Sequence, residues 1–291
     1  MKKRLLGIVA TVAAVALAGS MLAGCGSSNS GSGDSGSSSS ASYRSVDDIK
    51  ASGKIEIGVF SDKNPFGYVD ENGEYQGYDI ELARQIGEDL GVEVEFVSTE
   101  AANRVEYLET NKVDLILANF TVTEERAQAV DFAEPYMNVA LGAVSHKDHV
   151  IKSLDDVKDE KVIVISGTTA ETYLTANYPN LTQQKFDTYA AAKTAFENDK
   201  NALWLNDNTE VIAFANGDKD EYVVGIESLG NPDTIAPAVS KGNESLLNWL
   251  NDELKTLGSK NFFHKDYEKT LADTYGVDYE ETLVVEPGQK K

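Results

Sequence analysis

The sequence is poor in the residues that staple or metallate a fold. It carries one cysteine, Cys25, in 291 residues, so no disulfide can close within the chain and the body must rely on its apolar core. Histidine is scarce, at three. His146 and His149 form an H-x-x-H spacing, but they flank Lys147 and Asp148 in a polar stretch and only His264 remains elsewhere, which is too few ligands for a metal centre. Basic residues are in deficit: 26 Lys and Arg face 48 Asp and Glu, a formal net charge of −22. That balance argues against nucleic acid, because phosphate binding needs a basic face. No glycine-rich phosphate loop and no nucleophile elbow occurs, so neither a cofactor nor a hydrolytic centre is expected. Past the N-terminus no second long apolar run appears, and the body is expected to lack a membrane-crossing helix.

What is present begins with an address. Lys2, Lys3 and Arg4 precede an apolar stretch over residues 5–18 that is short for a membrane span. The stretch ends in Leu22-Ala23-Gly24-Cys25, which resembles the lipobox of bacterial lipoproteins. Residues 1–24 therefore read as a lipoprotein signal peptide, with Cys25 the lipidated first mature residue; the alternative is an ordinary signal peptide beside an incidental cysteine. In residues 26–42, 14 of 17 positions are Ser or Gly, a composition that cannot bury enough apolar surface to order itself. As a flexible coil it would reach roughly 20–25 Å, so residues 25–42 read as a lipidated tether.

The remaining body is long enough for two lobes. Residues 54–60 alternate like a strand, Asp79 stands where an N-cap would, and Ile80, Leu82, Ala83, Ile86 and Leu90 fall on one helical face that Gly91 is placed to stop. Residues 92–97 predict a strand, 102–110 a helix and 113–118 a buried strand, with a short helix after Thr123. The cadence then repeats, with strands over 161–165, 202–205 and 222–226 and helices over 169–177, 190–197 and 208–215. Strands alternating with helices predict parallel sheets in an α/β architecture, and two such units predict two lobes with a cleft between them. In open α/β sheets a ligand sits beyond the carboxyl ends of the strands, which directs attention to the loops there.

Asn119-Phe120-Thr121-Val122-Thr123-Glu124-Glu125-Arg126 followed by Val130-Asp131-Phe132-Ala133-Glu134-Pro135-Tyr136 resembles the signature of the family 3 periplasmic-type binding proteins for amino acids. The resemblance continues through Gln76-Gly77-Tyr78-Asp79-Ile80, Gly167-Thr168-Thr169-Ala170-Glu171 and Asn206-Asp207-Asn208-Thr209, and it is nearest to a subgroup that includes a cysteine-binding receptor. It implies a type II periplasmic-binding-protein fold: two α/β lobes joined by two crossing strands, lobe 1 being residues 43–139 plus 240–291 and lobe 2 residues 140–239. The crossing strands are expected near 136–142 and 233–239. The implied role is an extracytoplasmic, lipid-anchored receptor that works as a monomer. It would bind a small polar L-amino acid, cysteine first, with aspartate, glutamate or cystine as alternatives, and deliver it to an ABC permease and its ATPase.

A zwitterion entering a dry cleft loses strong hydration, so its two charges must each meet opposite charge and hydrogen bonds. Arg126 matches a carboxylate bidentately and follows a buried strand; a surface arginine on an acidic helix is the bland alternative. Thr168 with Glu171 fits a capping box ahead of Thr169, so that helix start either presents N–H groups to the carboxylate or is a plain cap. Asp207, after the buried run Leu203-Trp204-Leu205, is placed for the ammonium or for capping the next helix, or both. The resemblance adds Asn119, Phe120, Thr121 and Asn206 to the ligand shell. It also implies that Lys63 and Ala101 stand where relatives usually carry aromatic rings, which disfavours long basic or large apolar ligands. Lys63 and Arg104 then read as selecting a small polar or acidic side chain, with a structural role for Arg104 equally open. The rivals are an enzyme of the same fold, such as a dehydratase, for which no general acid can be named, and an adhesin with a degenerate cleft.

Overall fold

The computed structural model describes residues 43–289. The proposed signal peptide, Cys25 and the tether lie outside the described residues.

Chain order gives β1 (Lys54–Val59), β2 (Asp62–Lys63), β3 (Gly67–Val69), β4 (Tyr75–Gln76), β5 (Glu93–Ser98), β6 (Leu115–Ile116) and β7 (Val130–Phe132). They are followed by β8 (Met137–His146), β9 (Val162–Ile165), β10 (Gln183–Phe186), β11 (Leu203–Asp207), β12 (Tyr222–Ile235) and β13 (Ala238–Ser240). The first lobe is built on a sheet of order β5-β1-β6-β13-β7, the second on β10-β9-β11-β8-β12, and β2-β3-β4 form a small third sheet.

Neither large sheet is purely parallel, contrary to the alternating pattern. In the first, β13 runs antiparallel to β6 and β7; in the second, β8 runs antiparallel to β11 and β12. The reason is topological, because the chain leaves the first lobe along one extended segment and returns along another. Tyr222–Ile235 pairs with β8 from His146 down to Met137, through three register shifts that let one long strand follow the twist between lobes. It therefore extends well past the short strand that its apolar residues suggest.

Local chemistry explains the helices that hold the site. In Tyr78–Leu90 the residues Ile80, Leu82, Ala83, Ile86 and Leu90 are buried, and Gly91 ends the helix in the left-handed conformation with φ of 72°. Asp79 is not its cap, which corrects the sequence reading. The helix begins after Gly77, whose φ of 122° and close approach to Phe66 O leave no room for a side chain. The first N–H groups are met by main chain instead: Tyr78 N donates to Pro65 O and Asp79 N to Phe66 O. Asp79 turns inward, fully buried, and accepts from Tyr136 Oη at 2.6 Å and from Asn119 N at 2.8 Å. Burial pushes its carboxyl up to about 6 although both hydrogen bonds favour the charged form. An aspartate that looks like a cap thus ties the helix to the strand end that carries the site.

Candidate functional site

The chain after β6 delivers one wall. Asn119 adopts a left-handed φ of 45°, which asparagine tolerates better than most residues, and its turn aims Phe120 and Thr121 along the cleft. Thr121 is buried and bridges to Ile235, so this wall is tied to the returning crossing segment.

Two arginines flank the Phe120 ring. Arg104 Cζ lies 4.4 Å and Arg126 Cζ 4.9 Å from its centroid, and the electron-rich face of the ring attracts both cations. Arg104, buried at the start of the helix Arg104–Glu109, donates to the carbonyls of Ala101, Ala118 and Asn119 at 3.0–3.2 Å. Arg126, first residue of Arg126–Ala129, donates Nη1 to Thr121 O at 2.8 Å. Among the described residues neither guanidinium has a carboxylate within ion-pair distance. Burial, and then the neighbouring Arg104 charge, pull Arg126 down to about 9. This end of the cleft therefore has positive charge in excess.

The second lobe meets those arginines through one carbonyl. Gly167 O accepts from Arg126 Nη2 at 2.9 Å and from Arg104 Nη2 at 3.2 Å. Gly167 has φ of 76°, and a Cβ there would stand 2.4 Å from Ala102 Cα, so only glycine lets the lobes approach this closely. Thr168 caps the helix Thr169–Asn177 as expected, its hydroxyl donating to Ile165 O at 2.7 Å and accepting from Glu171 N at 3.4 Å. The box is shifted by one residue, however, because Glu171 accepts from Gly167 N at 2.7 Å rather than from Thr168 N. Thr169 is half-buried at the helix start beside this contact.

A second cluster sets two acids around one lysine. Lys63 of β2 is fully buried, donates to Asn119 Oδ1 at 2.7 Å and lies 3.4 Å from Asp207 Oδ2 and 4.0 Å from Glu210 Oε2. Its Nζ stands 4.8 Å from the Tyr189 ring, 5.4 Å from Phe66 and 5.7 Å from Phe60. Burial alone would lower this lysine, but Tyr189, Asp207 and Glu210 together hold it above its ordinary value, and it stays charged. Asp207 ends β11 and is almost fully buried; Asn206 before it is fully buried, with both side-chain polar atoms lacking a hydrogen-bond partner. Lys63, Asn119, Phe120, Thr121, Arg104, Arg126, Thr168 and Asp207 are thus brought into one interlobe cleft.

Glu210 and Tyr189 escape sequence reading. The available signal for Glu210 is its place three residues after Asp207 on the helix Asn208–Gly217, which turns it toward the same lysine. Its pKa rises to about 7, burial acting first, with Asp207 reinforcing and Lys63 opposing. A carboxyl whose folded pKa is raised keeps its proton in the folded state after the unfolded chain has lost it, so stability falls as pH rises from the usual carboxylate range toward 7. Asp79 contributes in the same direction, so the informative quantity is a difference between proteins. The midpoint of thermal unfolding is expected to fall less between pH 5 and pH 7 in Glu210→Gln than in the parent, and parallel pH profiles would contradict this.

The two histidines of the H-x-x-H spacing have separate partners. His146 stacks on Phe196 at 4.5 Å, whereas His149 pairs with Glu160 at 2.9 Å. No cluster of three or more metal-ligating side chains occurs among the described residues.

A family model for bacterial extracellular solute-binding proteins, family 3, matches residues 55–272. A cysteine-binding protein from Campylobacter jejuni is 46% identical, with a TM-score of 0.81 over 83% of this chain and 98% of that one. The solute receptor for L-cysteine of Neisseria gonorrhoeae is also 46% identical, with a TM-score of 0.81 over 84% and 100%. A glutamine-binding protein of an ABC transporter from Bacillus subtilis is 30% identical over 230 residues, 77% of this chain and 84% of that protein.

Proposed function

Because this chain belongs to the bacterial extracellular solute-binding proteins of family 3, we propose that it is the receptor of an amino-acid ABC importer and that its ligand is L-cysteine. The fold is the type II periplasmic-binding-protein fold, two α/β lobes joined by two crossing strands. One observation supports the reading of the site: two guanidiniums without a carboxylate partner and a cluster of two acids with one lysine converge on the turn from Asn119 to Thr121. Arg126 and Arg104 suit the carboxylate of an α-amino acid, and Asp207 with Glu210, two acids around the single ammonium of Lys63, suit its ammonium. Lys63 supports a small ligand, since its buried ammonium fills space that a long side chain would need. The two 46%-identical relatives named for cysteine support the choice within that class. Lobe limits of 43–139 with 240–291, and 140–239, are proposed on the sheet to which each strand belongs.

A thermal-shift screen of the full chain against the proteinogenic amino acids and cystine tests the ligand. L-Cysteine is expected to give the largest rise in unfolding midpoint, since a ligand at 100 times its dissociation constant stabilises by about 2.7 kcal/mol. Arginine or phenylalanine giving the largest rise would refute the assignment.

We propose further that Cys25 carries the acyl chains of an anchor outside the cytoplasm, the support being the Leu22 to Cys25 motif and the Ser/Gly-rich stretch after it. Cell fractionation is expected to move Cys25→Ala out of the membrane fraction; retention equal to the parent's would exclude the anchor.

A further inference from the structure

The two residues of β2 reach the second lobe in different ways. The strand pairs with β3 in the small sheet, which Arg84 Nη2 ties to the helix Tyr78–Leu90 of the first lobe by donating to Tyr75 O at 2.6 Å. Lys63 runs inward to Asp207 and Glu210. Asp62 is half-buried and meets the helix Tyr189–Asn198, its Oδ2 accepting from Ala190 N at 3.1 Å.

That helix is anchored in the second lobe. Tyr189, Ala192 and Phe196 are buried, and the Phe196 ring lies 6.1 Å from Trp204 of β11 and 5.7 Å from Tyr222 of β12. Its own cap, Thr188, accepts from Ala191 N at 3.2 Å, whereas the donor before it in the first turn, Ala190 N, is met from the other lobe. A carboxylate is favoured there by the N–H groups and by the helix dipole. Because the bond crosses between the lobes, it holds while they are close and is lost when they part. Tyr189 connects the same helix start to the cleft, its ring 4.8 Å from Lys63 Nζ and 5.2 Å from the Phe60 ring.

We propose that Asp62 is a closure latch, a first-lobe carboxylate that caps a second-lobe helix in the closed arrangement and so slows release of the bound amino acid without touching it. The inference rests on the reading of the cleft as an amino-acid site. Asp62 is then a positioning residue that acts through the lobe equilibrium, since a contact made in one state and absent from the other shifts the population between them. Opening must break the bond before the ligand leaves, so the effect falls on the dissociation rate. The contact is partly exposed, which keeps the effect modest and makes it sensitive to salt.

Stopped-flow kinetics of the full chain test this with L-cysteine, or with whichever amino acid gives the largest thermal shift. Dissociation should be about three- to fivefold faster in Asp62→Ala than in the parent at low ionic strength. That gap should shrink in about 1 M salt. Asp62→Asn keeps an acceptor oxygen without the charge and should fall between the two. Thr188→Ala removes the cap supplied from within the lobe to the same helix; it should lower the unfolding midpoint by about 2–4 °C and leave the dissociation rate at the parent value. Hydrogen exchange at the Ala190 amide needs no ligand and should be faster in Asp62→Ala, so a chain that binds no amino acid would fault the cleft and not the latch. A parental dissociation rate in Asp62→Ala, a rate in Thr188→Ala raised as far as in Asp62→Ala, or unchanged exchange at Ala190 would each overturn the proposal.

Discussion

Arg126→Ala or Asp207→Ala is expected to weaken binding of the amino acid by roughly 30-fold to several-thousand-fold. Removing one partner of a buried, hydrogen-bonded charge pair costs about 2–5 kcal/mol, because the other charge stays desolvated and unpaired, and each 1.4 kcal/mol is about tenfold. Neighbours set where each variant falls within that range. Arg104 shares the carboxylate end and retains its charge when Arg126 is removed, so Arg126→Ala belongs toward the lower part. Asp207→Ala leaves only Glu210, 4.0 Å from Lys63, to balance both that lysine and the ligand ammonium, and belongs higher. Calorimetry checks both; unchanged affinity in either would place the ligand elsewhere.

Closure provides the second large effect. With φ of 76° at Gly167 and a Cβ position 2.4 Å from Ala102 Cα and 2.7 Å from Ala102 N, any side chain strikes main chain, which cannot step aside as a flexible side-chain tip can. Gly167→Val is therefore expected to hold the lobes apart and break the hydrogen bonds from Arg104 and Arg126 to Gly167 O. Bonds from charged donors are worth about 1.5–3 kcal/mol each, so losing two predicts a fall in affinity of roughly 100-fold or more. Small-angle scattering should show the parent compacting with L-cysteine and the variant failing to do so. Ligand-induced compaction of Gly167→Val equal to that of the parent would contradict the closure mechanism.

Much of this site is readable where function and local structure share a signal. Thr168 and Glu171 advertise a helix start because capping has a short, strict spacing, and that helix begins at Thr169. Asp207 is readable because a polar residue follows a buried apolar run at a strand end. Lys63 is harder to interpret from sequence: its neighbour Asp207 is 144 residues away, and no local pattern shows that a lysine in a two-residue strand is completely buried. Asp79 misleads for the opposite reason, since an acid ahead of an apolar helical face resembles a cap whatever it bonds. β10, Gln183–Phe186, is three-quarters polar in sequence and carries no apolar alternation, so only its pairing with β9 identifies it. The mixed direction of the sheets is likewise a property of the two crossings and leaves no mark on hydrophobic periodicity.

A crystal structure of the protein with L-cysteine tests the central claim most directly. The account predicts the ligand carboxylate on Arg126, beside the Gly167 to Thr169 helix start, and its ammonium on Asp207, with both lobes in contact. A ligand bound outside this cleft, or one turned with its ammonium toward Arg126, would contradict it.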